Sequence, residues 1–171
     1  LLANGSDGLV VEGSTGEAAT MFMDEKIAVL KAVVERVNGR APVIVGAGTN
    51  CTASTLELIN AVEACGVDGL LVVGPYYNKP TQEGYYQHFA AVAKSTNLPI
   101  IIYNVPGRTG SNIEPKTVAR LAAEFPNIVA VKEAAGNVAQ TAELFRVLPE
   151  NVTIYSGDDG LESWDWTDMG M

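Results

Sequence analysis

The sequence has little with which to build the commonest catalytic centres. In 171 residues there is one histidine, His88, and there are two cysteines, Cys51 and Cys65. One imidazole does not supply a histidine-rich metal site or an ordinary histidine-based triad. The cysteines lack metal-type spacing and read as small reduced thiols, not as a disulfide. His88 lies in Tyr85-Tyr86-Gln87-His88-Phe89 and is expected on a helix surface. Positive charge is also scarce: 11 lysines and arginines against 20 acidic residues give a net charge of −9. That balance argues against nucleic acid and gives no support to binding anionic membranes. No apolar run approaches the roughly 20 residues of a transmembrane helix, and no signal-peptide pattern is seen, so a cytoplasmic chain is expected. With 47% hydrophobic residues, the chain can bury one sizeable core.

Six apolar, mostly β-branched runs recur: 8–12, 42–47, 68–74, 99–104, 128–133 and 152–156. Five segments with helical periodicity lie between them, at 24–38, 54–65, 82–94, 115–124 and 138–148. Asn38-Gly39 supplies a stop for the first, and Pro115 suits a first helical turn. This alternation is the rhythm of βα repeats with a parallel sheet, which an open doubly wound sheet and a closed (β/α)8 barrel both satisfy. The one dinucleotide-like tract, Gly46-Ala47-Gly48-Thr49-Asn50-Cys51, lacks the third glycine, and no acidic residue ends the next strand. Polar residues gather at the carboxyl ends of the strands, where barrel enzymes assemble their sites. A barrel needs eight strands and about 250 residues. The expectation is therefore an incomplete (β/α)8 TIM barrel over 1–160, about one strand short at each end. Residues 161–171 are read as an atypical or disordered tail, and Leu1-Leu2-Ala3-Asn4-Gly5 as a helix end with its glycine cap.

The run Ile128-Val129-Ala130-Val131-Lys132-Glu133 places a lysine at the end of a buried strand. Such a lysine can snorkel to solvent, or it can serve as an amine that forms a Schiff base with a ketone. Gly13-Ser14-Thr15-Gly16-Glu17 follows the first strand; it reads either as an anion seat or as a capped turn. Pro75-Tyr76-Tyr77-Asn78-Lys79-Pro80 sets two tyrosines in a stiff loop. Tyr103-Asn104-Val105-Pro106-Gly107-Arg108-Thr109 puts a phenol at a strand end and a guanidinium five residues later. A phenol can move protons, and arginine can grip a carboxylate.

With these three tracts in order (13–17, 103–109 and 131–137), the sequence resembles the pyruvate-dependent class I aldolase superfamily, and within it the dihydrodipicolinate synthase family. The resemblance runs from about Asp7 to Asp159. It implies a (β/α)8 barrel and the condensation of pyruvate with aspartate β-semialdehyde in the diaminopimelate route to lysine. By the same resemblance Lys132 forms the imine with pyruvate, so no cofactor and no metal are implied. Tyr103 matches the proton-transferring tyrosine, linked through Ser14 to Tyr77, whose counterpart enters a neighbouring subunit. Thr15 matches the seat of the pyruvate carboxylate, Arg108 the receptor of the semialdehyde carboxylate, and the Gly157 carbonyl a contact to the second substrate. A homodimer or homotetramer is implied.

The sequence departs from the family pattern in places. Ser14 stands where threonine is usual and keeps the hydroxyl with a looser rotamer. Gly74 replaces a threonine, with a minor effect expected. Met23 and Ser54 stand where lysine-inhibited members carry a histidine and a glutamate. Asn50 and Tyr76 remain but cannot pair with the ligand's ammonium, so weak or absent feedback by lysine is expected. The family's first strand, last strand and C-terminal helices have no counterpart. Two siblings share the lysine and tyrosine chemistry, N-acetylneuraminate lyase and the 2-keto-3-deoxy sugar acid aldolases; Arg108 favours the synthase, whose second substrate has a carboxylate. The alternative of another class is an inactive fragment or assembly partner with two unpaired sheet edges.

Overall fold

The computed structural model describes residues 1–158; the expected tail at 161–171 lies outside them. Six strands form one sheet: β1 (Leu9–Val11), β2 (Val43–Gly46), β3 (Gly69–Val73), β4 (Ile100–Asn104), β5 (Ile128–Glu133) and β6 (Thr153–Ser156). All neighbours are parallel, and the order is β1-β2-β3-β4-β5-β6. A doubly wound sheet reverses its strand order at a switch point. This one never reverses, so the chain is an incomplete (β/α)8 barrel. The helices are α1 (Met23–Val37), α2 (Thr52–Glu63), α3 (Gln82–Ser95), a single turn α4 (Pro106–Thr109), α5 (Pro115–Glu124) and α6 (Val138–Val147). Short 3₁₀ turns cover Leu2–Asn4, Ser14–Gly16 and Ala18–Thr20. Gly5 closes the first of these at φ 93°, as the sequence suggested.

The helix boundaries follow from capping. Asn38 ends α1 in the left-handed region at φ 48°, the Thr81 hydroxyl accepts the Gly84 N–H at 3.1 Å to start α3, and Pro115 opens α5. The sheet's two faces differ. Val45, Leu70, Val72, Ile100, Ile102 and Val131 belong to the main core, which they form with the helices. The opposite face carries a smaller cluster of Leu71, Tyr103 and Val105, with Ile44, Val73, Ile101 and Ala134 against it. Among the described residues no helix is long and apolar enough to cross a membrane.

The glycines of the dinucleotide-like tract have packing roles. A Cβ on Gly46 would lie 2.1 Å from the Glu12 carbonyl oxygen, and one on Gly48 would lie 2.5 Å from the Val73 nitrogen. Glycine there lets adjacent backbones close up. Gly74 has a similar reason: the Tyr85 ring fills the space a side chain would need, 2.7 Å from a Cβ. Cys51 and Cys65 are free thiols, as expected.

His88 corrects an expectation. It sits on α3, but it is buried, with Nδ1 2.9 Å from the Thr52 hydroxyl of α2 and Nε2 without a partner among the described residues. The helix surface was the wrong place because α3 packs on α2 through the side that carries His88. Burial pushes its pKa down to about 4. The unfolded chain binds this proton below about pH 6.5, whereas the folded chain resists it until about pH 4. Stability is therefore lost as pH falls through that window, by ~3 kcal/mol at its acid end. Urea midpoints at pH 7, 5.5 and 4 should fall more steeply for the wild type than for His88→Gln; parallel curves would contradict this.

Candidate active site

The site is set by the alternation of β4 and β5. A simple two-residue period from Ile128, which faces the helices, would send Lys132 to the helices as well. The register shifts instead: Ile100 pairs with Ile128 but Ile101 pairs with Ala130, so Val129 is an extra residue in β5. This bulge turns Lys132 to the concave face, directly opposite Tyr103. Lys132 Nζ lies 4.8 Å from the centroid of the Tyr103 ring, and Tyr103 is buried. The lysine stem runs across Gly157: a Cβ there would come within 2.7 Å of Lys132 Cε. Gly157 is itself held to β5 by its N–H, which donates to the Glu133 carbonyl at 2.8 Å.

The 3₁₀ turn after β1 and the one-turn helix α4 close around this pair. Ser14, Thr15, Tyr103, Arg108, Lys132 and Gly157 line one cavity of about 590 Å³, with Ala134 and Asp158 beside them. The curl of the sheet is visible here, because residues after β1 and after β6 share one cavity although those strands do not pair. A smaller cleft of about 330 Å³ between α6 and β6 has no amine among the described residues that line it. Six of the seven residues singled out in the sequence thus meet. Tyr77 does not join them. It lies in the β3–α3 loop in the left-handed region at φ 74°, and its side chain is exposed to 88%. Its N–H donates to the Thr109 carbonyl at 3.0 Å, which ties the loop to α4.

A profile of the dihydrodipicolinate synthetase family matches residues 1–167. The chain belongs to this family. The 4-hydroxy-tetrahydrodipicolinate synthase of Desulforamulus reducens is 58% identical over 161 residues, which are 94% of this chain and 54% of that protein. Of solved structures, the Thermotoga maritima dihydrodipicolinate synthase superposes with a TM-score of 0.92 at 45% identity. The chloride-inhibited enzyme of Acinetobacter baumannii, complexed with pyruvate, superposes with a TM-score of 0.90 at 46% identity. Each comparison covers 94% of this chain and 55% of the structure. The chain spans about half the length of these dihydrodipicolinate synthase relatives.

Two features of this family member were not singled out in the sequence. Glu12, just after β1, is 6% exposed, and neither carboxylate oxygen has a partner among the described residues. Its backbone is in the left-handed region at φ 58°. Burial raises its pKa, and the Lys26 ammonium partly opposes that. Nothing in its flanking residues signals the left-handed turn. The second feature is a hydrogen-bonded group behind β4 and β5, centred on the buried Glu133.

Proposed function

We propose that the chain carries the pyruvate-binding half of a Schiff-base aldolase that joins pyruvate to aspartate β-semialdehyde, giving 4-hydroxy-tetrahydrodipicolinate for lysine and diaminopimelate synthesis. The observation that carries this is the facing pair Lys132 and Tyr103 in a cavity that also holds two hydroxyls and a guanidinium. The Lys132 amine adds to the pyruvate carbonyl, and the carbinolamine loses water to give a protonated imine. Tyr103 delivers the proton that leaves with that water and then takes one from the pyruvate methyl, giving an enamine. The enamine carbon attacks the aldehyde, whose oxygen takes the proton that Tyr103 now holds, and transimination by the product's own amine frees Lys132. Ser14 carries the proton relay on from Tyr103, and Thr15 with the neighbouring backbone N–H groups seats the pyruvate carboxylate. Arg108 grips the carboxylate of the semialdehyde, and the Gly157 carbonyl accepts from its ammonium.

All groups in this scheme are side chains or backbone, so neither metal nor organic cofactor enters it. The outward phenol of Tyr77 suits a residue completing the relay in a second copy of the chain, in a homodimer or homotetramer. A cytoplasmic location fits the reduced cysteines. Feedback by lysine is absent or weak, because Met23 and Ser54 supply no carboxylate for an ammonium; strong inhibition by millimolar lysine would contradict this.

Proton NMR of pyruvate in D₂O tests the reading. The chain is expected to exchange the methyl protons, and added aspartate β-semialdehyde, but not N-acetylmannosamine, is expected to consume the pyruvate. A folded chain that leaves the methyl signal intact would refute the proposal. Gly157→Ala is expected to slow methyl exchange by about a hundredfold while the chain stays folded, because the added methyl displaces the Lys132 stem. Unchanged exchange in that variant would refute the geometry assigned to the amine.

A further inference from the structure

The reacting pair stands on a bulged register, and a register can slip. If β5 moved by one residue against β4, Val131 or Glu133 would replace Lys132 opposite Tyr103. On the helix side of the sheet, one step beyond that pair, Asn104 of β4 faces Glu133 of β5. Both are buried, at 1% and 5% exposure.

The Glu133 carboxylate has no salt bridge among the described residues and accepts only from N–H groups. The Asn104 amide reaches both its oxygens at 3.1 Å, the Gln140 amide of α6 reaches Oε2 at 3.0 Å, and the Ala135 backbone N–H reaches Oε1 at 2.7 Å. The other atoms of these amides are engaged too. Asn112 Oδ1 accepts from Asn104 at 2.9 Å and from Gln140 at 3.0 Å, and Asn112 donates to Gln140 Oε1 at 2.8 Å. Asn104 Oδ1 accepts the Ile113 N–H at 3.0 Å. A buried carboxylate held by neutral donors is costly unless every bond is made, so a shift of one residue along the strand would leave it unsatisfied.

We infer that Glu133, with Asn104, Asn112 and Gln140, is a clamp that locks the bulged register of β5 on β4 and so fixes the Lys132 amine over Tyr103. It rests on the proposed function in assigning the reaction at Lys132. Glu133 is a positioning residue: it lies on the other face of the sheet and acts through its two strand neighbours. The clamp also joins α6 and the loop before α5 to the strand ends, so the mouth of the cavity and the reacting pair are tied to one group.

The test uses the full chain with Glu133→Gln and with the transposed pair Asn104→Asp/Glu133→Gln, which moves the carboxylate to β4. In Glu133→Gln an amide N–H confronts N–H donors. Hydrogen exchange at the Ala134 and Gly157 amides, which bond across β4–β5 and β5–β6, is expected to quicken about tenfold, with β2 unchanged. Borohydride trapping of pyruvate on Lys132 is expected to slow about tenfold at saturating pyruvate. The pyruvate concentration for half-maximal trapping should hold within about twofold, because Thr15 and its turn are untouched. The transposed pair should recover most of both effects. Unchanged exchange, or loosened exchange with an unaltered trapping rate, would overturn the clamp, as would a transposed pair no better than the single variant. If the wild type traps no pyruvate, the proposed function fails by itself. The clamp is then judged by acetic anhydride labelling of Lys132: labelling equal in wild type and Glu133→Gln overturns it, and altered labelling with loosened exchange supports it.

Discussion

Lys132→Arg is expected to abolish covalent capture of pyruvate and to cut methyl exchange by roughly a thousandfold or more, ~4 kcal/mol at the transition state. Arginine keeps a positive charge and a long stem, so the cavity changes little. It cannot give up its proton near neutral pH, however, and a guanidinium does not form the imine. The variant should therefore fold and bind pyruvate reversibly through the Ser14–Thr15 turn. A Lys132→Arg chain that still exchanges the methyl protons at the wild-type rate would place the amine elsewhere.

The largest stability effect is expected from Gly46→Ala. The new Cβ would lie 2.1 Å from the Glu12 carbonyl oxygen and 2.9 Å from its carbon. These are backbone atoms, which cannot rotate away, and Glu12 is already in the left-handed region at φ 58°. Relief requires β1 to move off β2, taking the Ser14–Gly16 turn with it. A loss of more than ~3 kcal/mol is expected, at the upper end of overpacking effects. Gly107→Ala is the control: a Cβ at that position meets nothing within 4 Å. Urea unfolding of both variants checks this, and equal midpoints would contradict the close approach of β1 and β2.

The strands were legible because each is a short β-branched run between turn residues, and the helices because their apolar residues recur at helical spacing. Lys132 was legible for a related reason: an amine that closes an apolar strand is out of place. Other features lie in relations between distant segments. The bulge at Val129 has no local marker, since Val129 is as good a strand residue as its neighbours, yet it decides which face Lys132 occupies. The clamp draws on Asn104, Asn112, Glu133 and Gln140 from four separate segments, each an ordinary polar residue in sequence. His88 was misplaced because its partner Thr52 comes from another helix. The short helix α4 starts at Pro106, with only Val105 between it and β4, and is so short that the tract reads as a loop, although its one turn is what carries Arg108 to the cavity.

Reduction of the chain with borohydride in the presence of pyruvate, read by intact mass and peptide mapping, shows whether Lys132 is the reacting amine. One adduct per chain is expected, confined to Lys132 and lost in Lys132→Arg. A folded chain with no adduct, or with adducts spread over its other lysines, would contradict that role.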